Sequence, residues 1–551
     1  VGWVVVPLGV ILMTWALLPT VVGLGAGRGL ALRPLAGNVL QLMGALAVCG
    51  LWFGAMLGVF WRRPPKVVVP ANSGVKRSRG PAFWLGLAAI PLVLILLTAL
   101  GVGVYLVRLV DRRLADAIAA ADRDDPNWRL DALFAAREPV PDAENAAIPV
   151  AKVAQSLPLG WPTEELQPAF GQLLATPARV RLDEATTKAL RDELDRLAEP
   201  VRVARGVGNL KRGRHEIELA VNPMETRLKE TADAVEVGHL LMADAAVRAE
   251  AGDLDGALAS SQAILAVARS IGDEPMIVSQ VVRLNIGHAA LRSTGRVLAQ
   301  GEVSGAGLAR LQTLVLDELT EPLFLRACQG ERATLDAVIE RVGDGRISIA
   351  SLSGGGASNE PVGAIAPWGK LGFDYQRALG LEWTNALVAI AQGPSERRGP
   401  MMKAWEDEIL RVKNSTLGPY VATLPVLMMP ALTMGEKSLT RYEAELGSMA
   451  ILLAAEQHRL KTSAWPESVA AIDSSLLPKP PLDPWTGRPF LLKHSEGRLV
   501  VYSVGMNGKD DHGAIEPRAG TRNVPDDVGF EAWDPPLRRQ RAAVAEVPGP
   551  P

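Results

Sequence analysis

Cysteine is nearly missing from this chain, with Cys49 and Cys328 its only two. One lies in an apolar segment and the other far downstream in a polar region, which excludes a disulfide between them and any zinc site resting on cysteine. An excess of positive charge is missing too. A formal net charge of -2 leaves no basic stripe for phosphate contacts, so nucleic acid is excluded as a partner. Aromatic residues are scarce, at 5% against 48% hydrophobic residues. The hydrophobic excess is Ala, Leu and Val gathered early in the chain, the pattern of membrane spans followed by an Ala/Leu-rich helical protein.

Catalytic signatures are missing as well. The histidines at 215, 239, 288, 458, 494 and 512 lack the HExxH or HxH spacing that brings two imidazoles to one metal, and read as surface or satisfied core residues. No serine sits in GxSxG or SxxK. Glu331 and Arg332 read as solvated helix charges rather than a pocket pair. The expectation is a protein that is not an enzyme, with no catalytic residue to name.

What is present begins with three apolar stretches, residues 3–24, 38–61 and 83–107, none containing Asp, Glu or Lys. At about 1.5 Å per residue each is long enough to cross a hydrocarbon core of roughly 30 Å as a helix. Trp3, Trp61 and Trp84 near the ends suit the interfacial belt. No Lys or Arg precedes the first stretch and its run exceeds an ordinary signal-sequence core, so it reads as a retained span. The second loop carries Arg62, Arg63, Lys66, Lys76, Arg77 and Arg79, against Arg28 and Arg33 in the first. Basic residues resist translocation, so the second loop is expected in the cytoplasm and everything beyond residue 110 on the outer, periplasmic side of a bacterial inner membrane. Arg108, Arg112 and Arg113 pull the other way.

After the third stretch, prolines at 126, 139 and 141 bound a short helix in an acidic segment from Asp122 to Asn145, expected as part of a juxtamembrane collar over 111–182. The segment resembles one that follows a single membrane helix in a group of uncharacterised bacterial membrane proteins, and the resemblance implies no activity. Helical periodicity dominates 183–435. Asp183 is placed to cap a helix with Leu190, Leu194 and Leu197 on one face, and Pro200 to end it. Ala232, Val235, Leu240 and Met242 lead into a helical hairpin turning at Gly252, with Ala257 small enough for close approach and Pro275 at its end. This resembles one tetratricopeptide repeat, but one copy does not make an array, and an ordinary antiparallel pair is the favoured reading. Helices are expected over 305–319, with Leu308, Leu311 and Val315 as a stripe, and over 323–342. The glycine-rich run 351–367 lacks the Lys-Ser/Thr ending of a phosphate loop and reads as a surface loop.

The C-terminal part carries the most specific pattern. A helix over 438–462, with Leu446, Met449, Leu453 and His458 in one stripe, is stopped by Trp465-Pro466. A proline-rich crossing follows, then two strands with Phe490 and Leu492 on one and Leu499, Val501 and Ser503 on the other, joined by a turn at Ser495 to Gly497. Such a hairpin needs the helix to cover one face. The order resembles the globular end of type II secretion pseudopilins. Asp483, Pro484, Trp485, Gly487 and Pro489 match their turn, and Tyr502, Ser503 and Gly505 match their strand end.

The resemblance implies a calcium-binding final loop. Here Asn507 stands where those proteins have an Asp, leaving Asp510 and Asp511 as the acids, and calcium prefers several carboxylates among six to eight oxygens. A plain polar loop is favoured over a calcium site. No membrane helix adjoins this module, so assembly into a pilus is not implied. Beyond 513 the tail is expected to be mostly disordered outside the run VGFEAWDPP. The expected architecture is therefore mainly α: transmembrane helices, a helical domain whose hairpin is TPR-like, and a small α+β module over 436–513. The expected role is a scaffold or interaction protein binding the lipid bilayer and a protein partner, or else an accessory of a secretion or pilus-like assembly, or an enzyme whose site carries no known motif.

Overall fold

A computed structural model describes residues 81–348, 352, 369–415, 418–515 and 526–541. The stretches 3–24 and 38–61, the basic loop before residue 81, nearly all of the glycine-rich run and the last ten residues of the tail lie outside them.

The described residues form helices α1 (Pro81–Asp124), α2 (Leu130–Ala135), α3 (Ala147–Ser156), α4 (Gln167–Ala175), α5 (Glu184–Arg196), α6 (Ala198–Gly206), α7 (Lys229–Ala251), α8 (Leu254–Ser270), α9 (Ile277–Gln300), α10 (Gly305–Leu319) and α11 (Leu323–Gly343). Helices α12 (Gly369–Gln392), α13 (Ser395–Lys413), α14 (Gly418–Val421), α15 (Thr423–Met428) and α16 (Pro430–Thr462) follow, then strands β1 (Leu491–Ser495), β2 (Arg498–Ser503) and β3 (Val528–Trp533). The protein is mainly helical with one small antiparallel sheet, in the order β1-β2-β3. The described residues divide into two compact units, one from 81–118, 369–379 and 408–426 and the other from the remainder.

In the first unit, the apolar part of α1 keeps its side chains outward: Leu96, Leu97 and Leu100 are 58–64% exposed. Only 6% of its most apolar window is buried. A core helix of a soluble domain would hide such a face, whereas this one is compatible with a membrane anchor or a signal sequence. Elsewhere in this unit Arg113 lies over the Tyr375 ring at 5.0 Å, and the buried Gln376 side chain accepts from the Leu424 amide at 2.9 Å.

The second unit is built on α7, α8 and α9, each packed on the next. Gly252 ends α7 at φ +84°, a left-handed conformation that glycine adopts without strain. Asp253 then caps α8 by accepting from the Gly256 amide at 3.0 Å. The expected hairpin therefore forms, with Ala257 fully buried. Its first stripe is displaced from the expected one: Ala234, Val237, Leu240 and Leu241 are buried, while Ala232 is exposed and Val235 and Met242 are half-buried. Asp183 caps α5 through the Thr186 amide, and Leu190, Leu194 and Leu197 are buried. Pro200 does not stop the chain from being helical, because it falls in the first turn of α6, where a missing N–H costs nothing. Helix α10 has the expected bounds and α11 runs one residue past them, with Leu308, Leu311 and Val315 inward.

Leu446, Met449 and Leu453 face the core along α16, while His458 is half-buried. The helix ends at Thr462, where Ser463 turns left-handed ahead of Trp465. Strands β1 and β2 pair from Leu491↔Tyr502 to Ser495↔Arg498. Glu496 and Gly497 both have positive φ, as a tight two-residue hairpin turn requires. The tail after 513 supplies a third strand, with β3 pairing from Arg498↔Trp533 to Ser503↔Val528. Beyond it Gln540 pairs with Arg179 and Arg181 through backbone bonds of 2.7 and 2.9 Å, so this part of the tail is ordered. The reason is that β2 is central, with Leu499, Val500, Val501 and Tyr502 all buried, and a strand buried on both faces needs a partner along each edge.

Candidate functional site

Helix α9 starts after a short loop, Ile271–Met276, that two arginines hold from different sides. Arg283 donates to the Gly272 carbonyl at 2.8 Å, and Arg137 donates through Nε to Asp273 Oδ1 at 2.8 Å. The loop is also pressed against neighbouring backbone. A Cβ on Gly330 of α11 would lie 1.5 Å from the Pro275 carbonyl oxygen, and one on Gly272 would lie 2.1 Å from the Gly213 oxygen. Arg137 belongs to the acidic segment after α1 and is itself buried. It donates at 3.2 Å to the His215 carbonyl as well.

This packing carries Glu274 into the interior, where it is fully buried together with Ser279 and Gln280. Gln280 Nε2 donates to the Glu274 carbonyl at 2.7 Å. Both Glu274 carboxyl oxygens, Ser279 Oγ, Gln280 Oε1, Glu230 Oε1, Arg137 Nη2 and His215 Nε2 are buried without a hydrogen-bond partner. One such orphan costs about 1–3 kcal/mol, and native folds hold few of them without a reason. Burial pushes the Glu274 carboxyl up to about 8, the nearby Ser279 hydroxyl opposes the shift, and the Glu230 carboxylate adds to it. Glu230, in the first turn of α7, is likewise raised by burial and by Asp233. His215 is pushed down to about 4 by burial and by Arg137. At neutral pH the Glu274 carboxyl is therefore protonated and the His215 imidazole neutral.

Glu331 is half-buried and Arg332 is out of water altogether. Arg332 is fully buried, donates to Asn385 Oδ1 at 3.2 Å and lies 3.8 Å from Asp125 Oδ2, with its guanidinium 5.7 Å from the Trp128 ring centre. Burial raises the Glu331 carboxyl to about 7, against the Ile277 amide. For Arg332 the expectation of a helix charge in water fails, because α11 packs against α2, α9 and α16.

The loop after β2 is joined by hydrogen bonds of its own. Asn507 Oδ1 accepts from the Lys509 amide at 2.7 Å. Asp510 Oδ1 accepts from Tyr502 Oη at 3.0 Å and from the His512 amide at 2.8 Å. Asp511 Oδ2 accepts from the Asp526 amide at 3.3 Å. Asp527 takes the Gly513 amide at 2.8 Å, and burial raises its carboxyl despite the Asp511 and Gly513 amides. Among the described residues no three His, Cys, Asp or Glu side chains are grouped so as to hold a metal ion.

Ahead of this loop, the turn at Asp483 to Gly487 forms one wall of a cleft whose other sides include Phe324, Glu396, Arg398 and Glu443. Arg398 donates to Glu443 Oε1 at 2.6 Å there.

Sequence reasoning missed Glu274, Glu230 and Arg137. The run Gly272-Asp273-Glu274-Pro275 has the composition of an exposed interhelical turn, and nothing local marks it as buried. No family model, curated protein or solved structure matches the chain.

Proposed function

We propose that this chain is a membrane-anchored envelope protein that is not an enzyme and acts by binding a protein partner through its helical unit on the outer, periplasmic side of a bacterial inner membrane. The observation that carries the reading is the outward apolar surface of α1, where Ile90, Val93, Leu96, Leu97 and Leu100 are 50–64% exposed. Water does not stabilise a contiguous face of that kind, and lipid does. The basic loop before α1 supports the sidedness. Two measurements test it. The full chain is expected to stay in the pellet after carbonate washing, and recovery in the supernatant sinks the anchoring. Cysteines introduced in the basic loop are expected to be shielded from an impermeant maleimide in intact spheroplasts while one at exposed Leu174 is labelled; the reverse pattern sinks the sidedness.

A second reading, an accessory of a secretion or pilus-like assembly, is favoured by the C-terminal module. There the long helix α16 packs on β2 and β3, and the Asp483–Gly487 turn, closed by the Trp485 amide on Asp483 Oδ1, stands between helix and strands in the chain, an order that resembles pseudopilins. Asp510 and Asp511 are the acids a calcium ion would use in that reading. Co-purification of secretion components with the full chain from membranes supports it, and their absence leaves the partner to be sought elsewhere.

A further inference from the structure

Residues 418–435 hold no charged side chain. Pro419, Pro425 and Pro430 each fall in the first turn of a helix, so the run is divided among α14, α15 and the start of α16. Divided in this way it cannot cross a bilayer as one helix. Helix α15 is apolar on its outer face as well as its inner one. Leu424 and Pro425 are buried, Val426 and Met428 are half-buried, and Leu427 is 53% exposed. A helix with one face in water carries polar residues there, and apart from Thr423 this one has none.

The place of α15 relative to α1 says what covers that face. The apolar stretch of α1 ends at Val107, and at about 1.5 Å per residue Arg113 stands roughly 9 Å further along the helix. Headgroups add roughly 5–8 Å to each side of a hydrocarbon core, so Arg113 lies at the surface of the bilayer that α1 would cross. Its guanidinium covers the Tyr375 ring, and the next side chain, Gln376, takes the Leu424 amide of α15. In the segments 369–379 and 408–426 that share a compact unit with α1, Lys370, Arg377, Arg411 and Lys413 outnumber Asp374 and Glu408. That excess suits phosphate headgroups, although the whole chain is slightly acidic.

We propose that α15 is an interfacial helix that lies in the headgroup boundary of the bilayer crossed by α1, with Leu427 among lipid and Leu424 and Pro425 held by the protein. The inference rests on α1 being a membrane span. The prolines keep the run from spanning and its outer face keeps it from water, and lying in the plane of the interface meets both conditions. A protein partner would satisfy the apolar face alone and gives no reason for the basic excess beside it. The first unit then meets the membrane at two places, which fixes its tilt instead of leaving it to swing on a single helix.

The test uses the full chain, carrying Cys49→Ser and Cys328→Ala, in vesicles of phosphatidylcholine and phosphatidylglycerol. Leu427→Cys, Leu97→Cys in α1 and Leu174→Cys, at an exposed position of the second unit, are each labelled with a nitrobenzoxadiazole dye. Lipids brominated close to the headgroup or close to the tail end then report depth by quenching. The dye at 427 is expected to be quenched about twofold more by the shallow bromines than by the deep ones, the dye at 97 more by the deep ones, and the dye at 174 by neither. Quenching at 97 without quenching at 427 overturns the inference and leaves the anchor standing. Blue-shifted emission at 427 without quenching assigns the face to a protein surface and overturns it too. An unquenched dye at 97 removes the anchor itself, and the inference falls with it.

Discussion

The Ser448 hydroxyl on α16 donates to the Val501 carbonyl of β2 at 2.6 Å. It also accepts from the amide of Phe530 at 3.1 Å, the residue that faces Val501 across the β2–β3 register. A side chain of the covering helix is thus inserted into the sheet it covers. Such a fully buried hydroxyl is stable only because both bonds are made.

Ser448→Ala removes both bonds from a dry interface at the cost of a single oxygen atom. The expected loss is about 1–2 kcal/mol of unfolding free energy, read from denaturant curves of the full chain in detergent. A variant as stable as the parent would show that the hydroxyl contributes nothing to holding the helix on the sheet.

Gly330→Ala places a methyl group against the Pro275 carbonyl at a distance no contact allows. The obstruction is backbone, so the loop carrying Glu274 must move. Destabilisation by about 1–3 kcal/mol is expected in denaturant unfolding of the full chain, and an unchanged midpoint would show that the loop yields without cost. Gly305→Ala on α10, where nothing stands near the new Cβ, is expected to leave stability unchanged.

The pH dependence of stability follows from the direction of each shift. Glu274 rises from 4.5 to about 8 on folding. Below 4.5 it is protonated in both states and costs nothing. As pH rises towards 8 the unfolded chain ionises while the folded one holds its proton, and stability is lost throughout that interval. Glu331, raised to about 7, adds a loss of the same sign. His215, lowered from 6.5 to about 4, acts oppositely, and its stability is lost as pH falls through that window. Thermal unfolding of Glu274→Gln is therefore expected to match the parent near pH 4.5 and to move above it progressively up to about pH 8. A difference that does not vary with pH removes the claim that Glu274 is folded in its neutral form.

Arg538, just after β3, is buried and donates to Glu456 on α16 at 3.0 Å, to the Gly301 carbonyl at 2.8 Å and to the Trp533 carbonyl at 2.7 Å. Glu456 is fully buried, and Arg459 is its second partner at 2.8 Å. Arg538→Met is expected to cost about 3 kcal/mol, the low end for breaking a buried pair, because Arg459 still holds the carboxylate. Adding Glu456→Leu should recover part of that loss. Additive losses in the double variant would show that the two residues do not act as a pair.

Much of the helical framework was legible because its determinants are local. Asp183 next to Thr186, Gly252 before Asp253, and the Leu308, Leu311, Val315 spacing each act within a turn or two of chain, where capping, left-handed φ and helical period are written in adjacent residues. The buried cluster around Glu274 was illegible for the opposite reason. Glu274 sits among residues of an ordinary polar turn, and its burial depends on Arg137, Gly213 and Gly330, which lie far from it in the chain.

By itself the sequence determined an apolar helix from residue 83, the helices of the hairpin and of 305–343, and the β1–β2 hairpin with its Glu496-Gly497 turn. Each arises from short-range propensity, periodicity or capping. Only the tertiary structure decided that residues 528–533 complete the sheet, that Arg332 lies under Trp128, and that Glu274 points inward. A charged residue has no preference for the interior of its own; it is carried there when helices on both sides enclose it, and that enclosure is a property of the whole packing.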